Sequence, residues 1–426
     1  MWTEELRAVR SHFREVGREN RDEMYTAWQE RRAPLAVWDR LAAEGYFSAI
    51  TDQHLGFRPG VAWCAAASEG FSYGTRDPGF NIGPVCHGVM AIPVVDRWGH
   101  PDLKAMYLER MRSAELIAAF AVTERGGGTD AFHPASTITR AGNDWVLNGS
   151  KWHISNTPHA QIALVWVRRE DTGGLAAVLI DLDWEGVTRS DPLKPAGART
   201  SPVASMTFED VRVPAQHLVV AEHGKARLTE VLIGERLVAG FVGTGILDSI
   251  IEQVLTFGRT RRVFGQRATH FQYVQGRITD IKMDVEQLRA VCETTMRRFL
   301  DGDDVRLQAS IIKLTAQNAG MKAATNAMLV CGSYGLQDEA QLYSALLDAV
   351  TGAIGGGTEE AHRLVIFNEM AKSHAAQLRD GSLEMPDWMP WTDDSTLPPN
   401  SELPVSDAIS ASELSIGAFG EAPAVQ

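Results

Sequence analysis

The chain has 426 residues, of which 44% are hydrophobic and 22% charged, and a net charge of −13. These proportions suit a globular enzyme of two or three domains, and the negative balance argues against nucleic acid as a partner. Cys64, Cys86, Cys292 and Cys331 are scattered, with no CxxC pair and no histidine at ligand spacing, which argues against a disulfide framework or a metal site.

Residues 1–115 predict an N-terminal helical domain, because apolar positions recur at helical spacing, as in Leu35, Trp38, Leu41 and Ala42. The opening Met1-Trp2-Thr3-Glu4-Glu5 is charged and amphipathic, not a signal region, and no apolar run reads as long enough to span a membrane. A cytoplasmic location with no membrane span is therefore expected. Over residues 116–224 the period shortens. Trp145-Val146-Leu147, the run 162–167 and the run 176–180 predict strands of a middle domain, with Gly142-Asn143 and Asn148-Gly149 as turn signals. From 225 to 380 helical spacing returns in long segments, 240–257, 273–300 and 305–331, which predicts a helical bundle. Residues 381–426 form an acidic tail rich in Pro and Ser. From Asp380 onward there are nine acidic residues and no Lys or Arg, so the rest of the chain carries only −4. Trp388, Trp391, Met385 and Met389 at its start could dock on the body; the remainder lacks the apolar content to fold alone.

One carboxylate in the helical part stands out. After Glu235, small or apolar residues follow at Val238, Ala239, Val242 and Ile246, which puts Glu235 on the apolar stripe of a helix. Desolvation there would raise its pKa and make it a stronger base. Periodicity alone also fits, and more often means, a solvated glutamate at a helix start near Gly234.

Six motifs, in order, resemble the acyl-CoA dehydrogenase family. Ala121-Val122-Thr123-Glu124-Arg125-Gly126-Gly127-Gly128-Thr129-Asp130 resembles the family's glycine-rich loop after its first strand. Trp145-Val146-Leu147-Asn148-Gly149-Ser150-Lys151 followed by Ile154-Ser155-Asn156 is similar to its hairpin strand, and Phe208-Glu209-Asp210-Val211-Arg212-Val213-Pro214 to the segment closing the middle domain. Arg261-Arg262-Val263-Phe264-Gly265 with Phe271-Gln272 resembles the signature of the helical domain. Gly332-Ser333-Tyr334-Gly335 and Gly357-Thr358 complete the set, and the resemblance runs from about residue 30 to 378. It implies an α+β fold with an N-terminal helical domain, a middle β-barrel-like domain and a C-terminal four-helix bundle. It also implies FAD as cofactor. Thr123 would serve the flavin's pyrimidine edge, Ser155 its N5 side, and the glycine-rich loop with Thr129 the pyrophosphate. Arg261, Phe264 and Gln272 would reach the far end of a neighbouring subunit's cofactor, which implies a homo-oligomer, usually a tetramer; Gly332, Gly357 and Thr358 would line the cofactor as well.

The position where most members carry the catalytic glutamate is Gly356 here. Isovaleryl-CoA and long-chain acyl-CoA dehydrogenases also lack that glutamate and carry the base on another helix, immediately before an arginine. Glu235-Arg236-Leu237-Val238 is similar to that segment. The resemblance thus implies α,β-dehydrogenation of an acyl thioester, borne by CoA or a carrier protein. Glu235 would remove the α-proton, the backbone N–H of Gly356 would face the thioester oxygen, and Arg236 would hold the thioester arm or orient the base. Electrons would pass to an electron-transfer flavoprotein or a similar acceptor. Glycines at 355 and 356 would open space for a branched or bulky acyl group.

Several positions depart from the family pattern. His153 replaces the tryptophan beside the flavin, Trp152 sits one place early, Arg125 replaces the loop proline, and Leu329 and Ser333 replace a glutamine and a glycine. Such drift suits a specialised branch in secondary metabolism. It also leaves two other readings open, a flavin-dependent monooxygenase of the same fold and a non-redox scaffold or cyclase.

Overall fold

The computed structural model describes residues 2–52, 54–380 and 382. The acidic tail, with Trp388 and Trp391, lies outside the described residues. The chain forms two compact units, Met1–Glu359 and Glu360–Gln426.

The first unit begins with α1 (Glu4–Glu19), whose first turn is closed by the Thr3 hydroxyl accepting from the Leu6 N–H at 3.2 Å. Helices α2 (Arg21–Glu30), α3 (Leu35–Ala43) and α4 (Phe57–Thr75) follow. Alanine-rich α4 is buried along most of its length between α1 and the long helix described below. A short α5 (Ile82–Pro84) runs through a π-helical turn, Val85–Ala91, into α6 (Ile92–Trp98). Helix α7 (Pro101–Arg112) ends this helical layer.

A mixed sheet comes next. Its strands are β1 (Ala118–Ala121), β2 (Thr137–Ala141), β3 (Asp144–Ser155), β4 (Ile162–Arg169), β5 (Leu175–Asp181), β6 (Val187–Arg189), β7 (Val203–Val213) and β8 (Leu218–Val220). The spatial order is β6-β7-β3-β2-β4-β5-β8, with β1 parallel to β4. One face of the strands builds a separate apolar core from residues such as Ile138, Leu147, Val165, Val178 and Phe208. Gly142-Asn143 turns the chain between β2 and β3, whereas Asn148-Gly149 does not end a strand. The β3–β7 register shifts between Leu147 and Gly149, so the pair forms a bulge inside β3. Gly149 sits at φ +130, and a Cβ there would lie 2.5 Å from the Ser136 hydroxyl.

Four helices then pack as a bundle: α8 (Gly224–Thr260), α9 (Gln272–Leu300), α10 (Arg306–Cys331) and α11 (Leu342–Ile354). Between α8 and α9 lies a small hairpin of β9 (Arg262–Val263) and β10 (Gln266–Arg267). Helix α8 is longer and more apolar than the sequence reading allowed for. By length and composition it could cross a membrane, but 67% of its most apolar window is buried inside the fold, as befits a core helix. Helix α12 (Glu359–Asp380) supplies the described part of the second unit.

Candidate active site

Glu235 lies well inside α8, not at its start, and is 9% exposed. This removes the solvated alternative. The carboxylate is not isolated, however. Lys313, from the buried face of α10, donates to Glu235 Oε1 at 2.8 Å. A cation against the carboxylate offsets the desolvation that the bare apolar stripe predicted. The second oxygen, Oε2, is buried and has no hydrogen-bond partner.

Gly356 follows α11 at φ +72, where an L side chain is strained. A Cβ there would lie 2.8 Å from Glu235 Oε1, 2.9 Å from Lys313 Nζ and 3.1 Å from Glu235 Oε2. The space beside Gly356 is thus filled by the Glu235 carboxylate and the Lys313 ammonium. The volume that glycine leaves at position 356 is therefore taken up by this ion pair in the structure. A side chain at this position would press on the Glu235 carboxylate where it rests. A Cβ at Gly355 would meet only the Thr351 carbonyl, at 3.4 Å.

Cys86, from the π-helical turn, and Ser155, at the end of β3, complete the cluster. Burial pushes the Cys86 thiol up to about 12; the Glu235 charge adds to the push, while Lys313 and Ser155 oppose it. The thiol is therefore neutral and carries no charge toward Glu235. Arg236 feels the Glu235 charge but makes no hydrogen bond to it. Burial pulls its guanidinium below the usual arginine range, with Glu235 opposing, and its Nε is buried without a partner. The cation bonded to Glu235 is Lys313, not the adjacent arginine.

The β side of the site is built around Glu124. Its carboxylate accepts from the backbone N–H of Ala135 at 2.6 Å and of Ser136 at 3.0 Å, and from Lys151 Nζ at 2.7 Å. Lys151 is buried, is pushed down to about 8 by burial, and also donates to the Val122 carbonyl at 2.9 Å. These bonds, with Trp152 N–H donating to the Thr123 carbonyl at 2.9 Å, tie the glycine-rich loop to β3. Thr123 and Ser155 thereby lie along one end of the sheet, half-buried. A Cβ at Gly126 or Gly127 would meet nothing within 4 Å, so the loop's backbone faces open space. Thr129 is exposed on the same loop. An open glycine loop flanked by two half-buried hydroxyls suits the pyrophosphate and polar ring edge of a dinucleotide flavin.

A second register shift, between Lys151 and Ile154, explains the displaced tryptophan. The bulge puts His153 at φ +55 with its side chain exposed, and Trp152 lies under the Arg125 guanidinium at 5.2 Å.

Of the other residues that the resemblance assigns to the cofactor, Arg261, Phe264 and Gln272 are far from this cluster along the chain. Arg261 ends α8, 26 residues beyond Glu235, which at 1.5 Å per residue is about 39 Å along the helix. Arg261 and Gln272 are exposed, and Phe264 is 93% exposed, as is Tyr273. Gly332 is exposed after α10 at φ +63, and Gly357 and Thr358 follow Gly356. The fold brings together Glu235, Gly356 and Ser155, and does not bring Arg261, Phe264 or Gln272 to them within one chain. Sequence reasoning missed Lys313, Cys86 and the Glu124–Lys151 pair. The signal for Lys313 was available: it is a lone lysine beside Ala309, Ile312 and Ala316 on the buried stripe of α10. Among the described residues no His, Cys, Asp and Glu cluster could hold a metal ion.

Three family models match the chain: the N-terminal, middle and C-terminal domains of acyl-CoA dehydrogenase, over residues 3–115, 119–211 and 222–371. The chain is similar to the L-prolyl-[peptidyl-carrier protein] dehydrogenase of Serratia sp. (strain ATCC 39006), 25% identical over 78% of this chain and 88% of that protein. It is 27% identical to the mitochondrial isovaleryl-CoA dehydrogenase of Pongo abelii over 71% of this chain and 70% of that protein. In fold it matches a structure of PigA with FAD and proline, with a TM-score of 0.83 at 22% identity, covering 87% of this chain and 98% of that one. Matching all three domains in order, the chain belongs to the acyl-CoA dehydrogenase family, flavin oxidoreductases that act on CH–CH bonds.

Proposed function

We propose that this protein is an FAD-dependent dehydrogenase that introduces an α,β double bond into an acyl thioester, with Glu235 as the base. The observation that carries this reading is Glu235 Oε2, a buried carboxylate oxygen with no partner beside the backbone of Gly356. An unsatisfied buried acceptor is costly, and a C–H proton donor delivered by a substrate gives it a task.

Thr123, Thr129 and Ser155 would hold the flavin, together with Gly332, Gly357 and Thr358. When bound, FAD supplies the acceptor for the β-hydride. The chain's own contribution is the proton. Glu235 Oε2 takes the α-proton, and the electron pair of that C–H bond stays on the thioester as its carbonyl oxygen gains charge. The Gly356 N–H would donate to that oxygen. Arg236, one residue on, steers the thioester arm.

The distance between Glu235 and Arg261 along α8 supports a homo-oligomer, usually a tetramer in this family, in which Arg261, Phe264 and Gln272 serve a neighbour's cofactor. The fully exposed Phe264 and Tyr273 rings fit such an interface. The Serratia relative's carrier-protein substrate favours a carrier-bound acyl group and a place in secondary metabolism over a free CoA ester. An electron-transfer flavoprotein or a similar cytoplasmic acceptor would reoxidise the enzyme.

The test is anaerobic titration of the purified protein with straight, branched and prolyl thioesters of CoA and of pantetheine-loaded carrier protein, read by flavin absorbance. Bleaching by one thioester, lost in Glu235→Gln, supports the reading. Bound FAD that no thioester bleaches, with hydroxylation of substrate when reduced flavin and oxygen are supplied, would replace it with the monooxygenase.

A further inference from the structure

We propose that Lys313 is a positioning residue for proton transfer, holding Glu235 Oε1 so that Oε2 alone meets the substrate. This rests on the reading of Glu235 as the base.

The pair is built into the helix packing. Helices α8 and α10 approach closely at Gly240, where a Cβ would lie 2.3 Å from Ile312 Cγ2. That approach places the neighbouring Lys313 against the turn of α8 that carries Glu235. A carboxylate free to rotate could offer either oxygen and several orientations. Here one oxygen is fixed by the ammonium at 2.8 Å, and the Gly356 backbone packs against the carboxylate. The remaining oxygen has no other partner. Such fixation places the accepting atom before the substrate arrives.

The surroundings leave Lys313 as the bonded charge partner. Arg236 from α8 acts on Glu235 through space without a hydrogen bond between them, and the Cys86 thiol facing the pair is neutral. A plain structural ion pair would be saturated. This one leaves Oε2 without a partner, while Gly356 packs against both oxygens. In the transfer the α-proton moves to Oε2 and its electron pair stays with the substrate. Lys313 keeps its three protons throughout. As Glu235 becomes neutral, the ammonium no longer faces an anion.

The experiment compares Lys313→Met and Lys313→Arg, each in the wild-type and Glu235→Gln backgrounds. The probes are isovaleryl-CoA and an L-prolyl pantetheine thioester, read by the limiting rate of flavin bleaching against pH. Infrared titration of the purified holoenzyme gives a second readout that needs no substrate, through the carboxyl stretch that disappears in Glu235→Gln. Lys313→Met is expected to slow bleaching about 100-fold with the half-saturating thioester concentration little changed. The acid limb, and the pH at which the carboxyl band appears, should both move up by about one unit or more. Lys313→Arg should recover part of both. A Lys313→Met enzyme with the wild-type acid limb and carboxyl band, and only a lowered Tm, would make the pair purely structural and overturn the proposal. Wild-type bleaching by Glu235→Gln would instead overturn the base assignment. If neither thioester bleaches the wild type, the infrared titration alone decides for or against Lys313.

Discussion

Two buried glutamates sit on neighbouring helices, and they differ in how completely they are satisfied. Glu69, on α4, lies in the run Cys64-Ala65-Ala66-Ala67-Ser68-Glu69-Gly70-Phe71, a more apolar setting than that of Glu235. Its Oε2 accepts from Trp2 Nε1 at 2.8 Å, and its Oε1 from Arg289 Nη1 at 2.5 Å and Arg10 Nη1 at 3.4 Å. Arg289 also binds Asp248 at 2.5 Å, so the network ties α1, α4, α8 and α9 together. Glu69 has donors on both oxygens, and Glu235 has one donor on one oxygen. Burial alone therefore does not set the two glutamates apart; the buried, unpartnered Oε2 of Glu235 does.

The largest effect expected from this contrast is at Glu235. Glu235→Gln should cut the limiting bleaching rate by about 10⁴-fold, the upper range for loss of a general base, with FAD still bound. Glu69→Gln should do the reverse. It leaves Arg10 and Arg289 short of a buried anion, at a cost of about 3 kcal/mol in chemical unfolding. Its bleaching rate per folded, flavin-loaded molecule should stay at the wild-type level. A Glu69→Gln enzyme that is stable but slow would break the comparison.

Next in size is Gly356→Ala. The new Cβ would be forced against the Glu235 carboxylate and Lys313 in a backbone conformation that disfavours alanine. Displacing the base in this way should slow bleaching about 100-fold while altering thioester affinity less. If Gly356→Ala were fully active, the carboxylate would have to rest elsewhere during turnover.

How much of this was legible in the sequence differs between the fold and the site. The change of period at residues 116–224 located the sheet, because alternation follows directly from strand geometry. The bulges in β3 did not show, since Asn148-Gly149 carries the same local chemistry in a bulge as in a turn. Glu235 could be picked out only because Glu235-Arg236-Leu237-Val238 resembles a known segment. Periodicity alone would have favoured Glu69, whose neighbours are more apolar. What decides between them is the set of donors brought in by Arg10, Arg289 and Trp2 at Glu69, and by Lys313 alone at Glu235. Those contacts join residues 59 to 220 positions apart at Glu69 and 78 apart at Glu235, and no local pattern encodes them. Gly356 reads in sequence as lost volume; only the packing shows that the volume is taken by the relocated carboxylate.

A third buried carboxylate site gives the smallest effect, because it acts as a slope with pH and not as a loss. Asp77 accepts from Phe80 N–H at 3.0 Å and the Thr200 hydroxyl at 2.9 Å, and Asp348 on α11 accepts from Gly79 N–H at 3.1 Å and Ala198 N–H at 2.6 Å. Burial pushes Asp77 up to about 6, and burial together with the Asp77 charge pushes Asp348 up to about 8, with Arg199 opposing only weakly. The pair thus keeps a proton that the unfolded chain gives up above a pH of about 4. The folded state binds more protons than the unfolded one over that window. The pair's stabilisation is therefore complete below about pH 4 and is lost as pH rises through about 8. Asp348→Asn removes one of the two titrations. Its stability should fall less steeply than the wild type's between pH 5 and 8, by at most about 1.4 kcal/mol per pH unit for one proton. Denaturant midpoints at three pH values would measure it. Lys151 and the buried histidines titrate in both proteins and cancel in the difference, so parallel wild-type and Asp348→Asn curves would mean that the pair is not sharing a proton. A flattened curve with an unchanged acid limb of bleaching would separate this pair, which ties α11 to the loops at Gly79 and Ala198, from the Glu235–Lys313 pair proposed to serve proton transfer.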